Sequence, residues 1–348
     1  MKLLLLGFGN VGRRLTEILA DREAYPGLAD LDVSIVGVTT GSRGSIADPA
    51  GLDLRSVLEQ MRTAGRFPQR LTSLEAIRTL DCDVVVEMTP LDIPSRGAAA
   101  IAHIREALER KRHVITCNKG PLAWAYRPLR DLARRHKRAF LYETTVMDGA
   151  PVFNLAQRCL RGNTIQRIEG ILNSTSNYVL CAMESGQSFA EAVAAAQALG
   201  VAEADPRNDL DGWDAAVKTA ALANVLLDAD GSSEIWPEQV ERESMASITP
   251  ETIRAALARG RRIKMVCEAW RVGLDDQIIA KVAAREIPLT DPFALVAGIG
   301  SILRLTTDIA GKIVLTEEEP DLSTTAYGVI SDLYRLCSYG HVAKANVS

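Results

Sequence analysis

The chain has 348 residues, 47% of them apolar and 24% charged, with a net charge of −4. That length suits one large or two ordinary domains, and the near-neutral balance offers no footprint for nucleic acid or an anionic membrane. No run of about 20 apolar residues could span a bilayer, and glycines interrupt "MKLLLLGFG" before a signal-peptide core forms, so a soluble cytoplasmic protein is expected.

Up to about residue 150, short apolar runs alternate with helical stretches. The first, "LLLLG", leads into "GFGNVG", which sets Gly7, Gly9 and Gly12 in G-x-G-x-x-G spacing between a strand and a helix. Such glycines permit a tight turn and close approach of a pyrophosphate to backbone N–H groups, with Phe8, Asn10 and Val11 in the same candidate cofactor loop. The second run, "DVSIVGV", ends in "GVTTGSRG". It has no acid for a ribose 2′-hydroxyl but offers Arg43 to a 2′-phosphate, favouring NADP over NAD unless Arg43 is only a solvated loop residue. "DVVVEMT", "HVITCN" and "AFLYETTV" complete five strands, and the stretches 97–111 and 120–138 between the later ones are helical in period. Continuous apolar strands separated by helices predict an α/β domain over 1–150, a doubly wound parallel sheet of Rossmann type. "TCNKGPLA" places Asn118 and Lys119 at the carboxyl edge of that sheet, where ligands bind and a lysine suits a carbonyl or phosphate oxygen.

From 151 to about 320 the order changes. "TIQRIEGIL" leads into a helical region over 176–227, and "TPET" predicts a helix capped by Thr249 with Pro250 in its first position. "RIKMVCEAWRV", "QIIAKVAAREI", "SILRLTTDI" and "KIVLTEE" then read as successive strands joined by short turns such as "GLDD" and "AG". This predicts a largely antiparallel sheet in a second, α+β substrate and dimerisation domain. A final helix within 321–348 is expected to pack back on the first domain. The six cysteines include no C-x-x-C pair and the four histidines no H-E-x-x-H spacing, so reduced thiols and no zinc are expected.

"VAEADPRNDLDGWDAAVK" concentrates Glu203, Asp205, Asp209, Asp211 and Asp214. A calcium loop would need carboxylates where Arg207 and Lys218 stand, so that reading fails. Asp211 is expected to cap the following helix, with Asp205 and Asp209 shaping the loop. That helix, "GWDAAVKTAALANVLL", is otherwise nearly free of charge and should be buried. A desolvated Asp214–Lys218 pair is costly, and a lysine beside carboxylates suits proton transfer to a carbonyl oxygen.

Five ordered blocks now carry a resemblance to homoserine dehydrogenases over essentially the whole chain: "GFGNVG", "TCNKGPLA", "YETTVMDGAPV", "GILNSTSNY" and "AQALGVAEADPRNDLDGWDAAVKTA". The resemblance implies interconversion of L-aspartate 4-semialdehyde and L-homoserine with NAD(P)H, in threonine, methionine and isoleucine biosynthesis, by a cytoplasmic homodimer. It implies substrate contacts from Glu203 and Asp214, catalytic roles for Lys218 and Lys119, and cofactor contacts from Thr89 and Lys119. It also implies a monovalent cation, typically sodium, held largely by main-chain oxygens of Glu143, Val146, Asp148 and Ala150. Ser174 and Asp148 depart from the family pattern, and "EEEPDLSTTAYGV" lacks a Gly-Ala-Gly segment that many members carry. The chain ends too soon after that segment for an appended regulatory domain, so threonine feedback through one is not expected. The residues alone leave open another amino-acid or semialdehyde dehydrogenase, the latter needing a catalytic cysteine such as Cys117, or a non-catalytic NAD(P)H sensor.

Overall fold

The computed structural model describes residues 1–227, 233–273 and 277–345, excluding the side chains of 338–345. The chain forms two compact units: Met1–Pro121 with Ala125–Pro151 and the segment from Asp321, and Leu122–Trp124 with Val152–Pro320.

The first unit is built on β1 (Lys2–Leu6), β2 (Ser34–Thr39), β3 (Ser45–Ala47), β4 (Val84–Glu87), β5 (His113–Thr116) and β6 (Phe140–Leu141). Their order is β3-β2-β1-β4-β5-β6, all parallel except β3, which pairs antiparallel with β2. Leu3, Leu4, Leu5 and Leu6 are all fully buried, as strands covered on both faces require. The helix Asn10–Ala20 contributes Leu15 and Leu19 to the core, where they meet Ala326, Val329 and Leu333 of the helix Leu322–Ala345.

Two expectations for this unit need correction. The fifth strand shortens to two residues, because Glu143–Thr145 coil into a 3-10 turn. The helix expected over 120–138 divides at Ala125 into Gly120–Trp124 and Tyr126–His136. Pro128 has no N–H to give the Trp124 carbonyl, so it disfavours one continuous helix, while the first turn of a new one tolerates it.

The second unit carries β7 (Ile165–Ile171), β8 (Glu241–Arg242), β9 (Arg261–Val272), β10 (Gln277–Pro288), β11 (Ser301–Thr307) and β12 (Lys312–Glu317). The order β12-β11-β7-β9-β10-β8 is antiparallel apart from the short β8–β10 pair. The expected "AG" turn is present, with Gly311 at φ +73° and its carbonyl accepting from Thr307 N at 2.8 Å. In the expected "GLDD" turn, residues 274–276 lie outside the described residues.

Among the described residues, four helices of nine or more residues accompany the second sheet: Ser174–Glu184, Phe189–Ala198, Trp213–Leu226 and Pro250–Ala258. The helical region expected over 176–227 is therefore interrupted, with Gly186 and Gly200 at positive φ ending the first two of these. Thr249 caps Pro250–Ala258 through its side chain, as the sequence predicts. Trp213–Leu226 packs on β9 and β10 with Ala216, Val217 and Ala220 fully buried.

Candidate active site

The glycine turn follows β1 and opens the helix Asn10–Ala20. Gly7 has φ +99°, and a Cβ there would lie 2.5 Å from the Met88 carbonyl oxygen. A Cβ on Gly12 would meet the Gly7 carbonyl oxygen at 2.9 Å, so both positions exclude side chains. Gly9 takes the N-cap without a side-chain hydrogen bond, and the first turn holds no acid. Gly9 and Asn10 are exposed and Val11 is half-buried. An uncapped, acid-free helix start offers N–H groups and a positive dipole end to an anion, so this cradle fits a pyrophosphate. Phe8 is buried beneath it, its ring edge-on to Phe67 at 5.4 Å. Arg43 lies in the exposed turn after β2, its backbone N–H bonded to Thr40 Oγ1 at 2.8 Å.

At the carboxyl ends of β4 and β5, polar groups interlock. The buried Glu87 carboxylate accepts from Thr89 N and Thr116 Oγ1, each at 3.0 Å, and from the Thr89 hydroxyl. Asn118 Nδ2 donates to the carbonyls of Thr89 and Pro90 at 3.1 and 3.2 Å, while its Oδ1 accepts from Gly120 N at 2.9 Å. Thr89 is thus held in this lattice, and half-buried Lys119 follows Asn118 directly in the chain. Burial, with the Glu87 and Asp332 carboxylates nearby, pushes the Cys117 thiol well above its ordinary range, which is poor preparation for a nucleophile.

In the second unit, Asn173 gathers the acids. It caps Ser174–Glu184, and its Nδ2 donates to Asp209 Oδ1 at 2.8 Å and to Asp214 Oδ2 at 3.0 Å. Lys218 Nζ stands 3.7 Å from Asp214 Oδ2 and donates to the Leu172 carbonyl at 2.7 Å, with both side chains about 15% exposed. Burial, followed by repulsion from Asp214, raises the Asp209 pKa. By contrast Asp205 is exposed and held down at about 2 by hydrogen bonds from Arg207. Asp211 is not the expected cap: Gly212, at φ +74°, takes that position, and Asp211 Oδ1 accepts from Ser244 Oγ at 2.9 Å. The exposed carboxylate of Glu203 has no partner among the described residues, so the structure does not join it to the cluster. Ser174 is the first helical residue without positive φ, and serine fits there unstrained.

The segment from Glu143 to Ala150 forms a tight turn in the first unit. Glu143, Val146 and Ala150 are buried, Asp148 takes φ +36°, and Ala150 N donates to the Met147 carbonyl at 2.8 Å. The Asp148 carboxylate accepts from Thr325 Oγ1 at 2.8 Å, so this departure is tied to the helix Leu322–Ala345. No cluster of three or more acidic, histidine or cysteine side chains suited to a metal occurs among the described residues. Main-chain oxygens of such a turn are donors of the kind a hard cation takes.

Comparison with known proteins decides the family. The model for "Homoserine dehydrogenase" matches residues 151–334, and that for "Homoserine dehydrogenase, NAD binding domain" matches 7–143. The chain belongs to the homoserine dehydrogenase family. It is 36% identical over 342 residues to the NAD(+)-dependent homoserine dehydrogenase of Pseudomonas canavaninivorans, covering 96% of each chain. It is 34% identical to the homoserine dehydrogenase of Methanocaldococcus jannaschii, covering 97% of this chain and 98% of that one. A crystal structure from Archaeoglobus fulgidus, of a candidate homoserine dehydrogenase, superposes with TM-score 0.86 at 32% identity, covering 97% of this chain and 99% of that chain. As a homoserine dehydrogenase family member, the chain is an oxidoreductase acting on a CH–OH group of a small molecule with a nicotinamide cofactor.

Within this family member, sequence reasoning misses Asn173 and Asp209 as members of the candidate site. Asn173 stands inside the quoted "GILNSTSNY" block, so a signal was present. Asp209 stands inside the quoted "AQALGVAEADPRNDLDGWDAAVKTA" block as well, but its link to an asparagine 36 positions away is a tertiary contact that spacing does not reveal.

Proposed function

We propose that the chain reduces L-aspartate 4-semialdehyde to L-homoserine, and reverses that reaction, through the group around Asn173. The observation that carries this is that one asparagine draws Asp209 to Asp214, which shares an otherwise apolar helix with Lys218. Asp214, with Glu203 from its loop, holds the α-ammonium of the amino acid, and Asp209 adds a second charge beside Asp214. Lys218, oriented by the Leu172 carbonyl, gives its proton to the aldehyde oxygen as charge builds there. Lys119 supports that oxygen and contacts the cofactor, as does Thr89. The bound nicotinamide supplies the hydride. Gly7, Phe8, Gly9, Asn10, Val11 and Gly12 hold its pyrophosphate end, and Arg43 favours NADP, whereas the Pseudomonas relative's name would point to NAD. The main-chain oxygens of Glu143, Val146, Asp148 and Ala150 hold sodium.

The remaining assignments follow from the same reading: a cytoplasmic homodimer serving threonine, methionine and isoleucine synthesis. The test is turnover of the semialdehyde with NADPH, followed as loss of nicotinamide absorbance. Lys218→Ala is expected to lower kcat by about two to four orders of magnitude while NADPH binding is retained. Near-normal turnover in that variant would remove Lys218 from the mechanism. Cys117→Ser is expected to stay active, and its inactivity would favour a thiol-dependent semialdehyde dehydrogenase instead.

A further inference from the structure

The turn between β2 and β3 and the segment 66–72 enclose a pocket of about 520 Å³ in the first unit. Arg43, Arg66 and Arg70 line it, and no acid does. All three are exposed, and none has a side-chain hydrogen bond or ion pair among the described residues. Arg62, four positions before Arg66, is instead paired with Glu59 at 2.6 Å.

The pocket is built by backbone bonds. Phe67 N donates to the Arg43 carbonyl at 2.7 Å, and Ser45 and Gln69 exchange N–H···O bonds of 2.8 and 3.0 Å. Gly44, at φ +79°, permits this approach, since a Cβ there would lie 2.5 Å from the Phe67 carbonyl oxygen. The Phe67 ring in turn meets Phe8 of the glycine turn, so the segment is anchored to the pyrophosphate cradle. Three like charges fixed around one cavity repel each other and gain from a multivalent anion. The carboxyl end of the second strand is where a dinucleotide presents its adenosine ribose.

We infer that Arg66 and Arg70 join Arg43 in clamping the 2′-phosphate of NADP, which makes this pocket the element that separates NADP from NAD. The inference deepens the cofactor assignment and rests on it. A 2′-phosphate carries about −2 charge near neutral pH and three acceptor oxygens, which planar guanidinium groups engage two at a time. NAD has only a hydroxyl at that position.

The test is titration of the whole protein with NADPH and, separately, NADH, read by nucleotide fluorescence with no aldehyde present. The wild-type protein is expected to bind NADPH at least about tenfold more tightly than NADH. Arg66→Ala and Arg70→Ala are each expected to cut that ratio by about tenfold, and Arg62→Ala to leave it unchanged. Equal wild-type affinities overturn the inference, as do ratios within about twofold of wild type in both variants. An equal fall in Arg62→Ala overturns it as well, since a diffuse field would then be responsible. Because no aldehyde is involved, absence of semialdehyde turnover counts against the proposed reaction alone.

Discussion

Among the crowded acids, Asp205 and Asp209 are four positions apart and have opposite environments. Arg207 keeps Asp205 ionised, whereas burial and Asp214 raise the Asp209 pKa. A carboxyl raised in the folded state contributes stability below its ordinary range, and that contribution disappears as pH climbs through the raised value. Asp209→Asn is therefore expected to melt higher than wild type without substrate, with the difference growing from about pH 4 to pH 8. The same variant is expected to have a higher KM for the amino-acid substrate, because the ammonium loses a counter-charge. A melting difference that stays flat with pH would show that Asp209 is not held near its neighbour's charge. Asp214 and Lys218 are legible in sequence as an i,i+4 pair on an apolar helix. Asp209 stands in the same quoted block, but its pairing with Asn173 is made by tertiary contact and is not legible.

The strands are the most legible elements, for a physical reason. Buried parallel strands must be apolar on both faces, and β1, β2, β4 and β5 stand out as unbroken runs. β3 escapes notice because it is three residues long and has no apolar run, being held instead by backbone pairing to β2. In the second sheet the successive apolar runs and short turns identify strands but conceal a conflict, because Glu169 and Glu268 face each other across β7 and β9. Like charges directly opposite are destabilising. Arg167 of β7 bonds Glu268 at 2.5 Å, Arg285 of β10 also bonds it, and Arg304 of β11 lies 3.8 Å from Glu169. Glu268→Ala is expected to lose about 1–3 kcal/mol, seen as a lower urea midpoint at an unchanged slope. An unchanged midpoint would mean the arginines lose nothing with their partner.

At the scale of the molecule, no helix among the described residues is long and apolar enough to cross a membrane. The proposed homodimer is checked by sedimentation velocity, with an expected mass of twice 37.7 kDa and an overturning result of a single-chain mass at micromolar protein. The first unit has a consequence for how the protein is made. Its core needs Ala326, Val329, Ile330, Leu333 and Leu336, yet Val152–Pro320 of the second unit is encoded between those residues and the first 151 positions. A ribosome therefore releases the nucleotide-binding unit unfinished, and holds it so while about half the message is still being read. During that interval Leu15 and Leu19 lack their eventual cover, a natural window for chaperone capture.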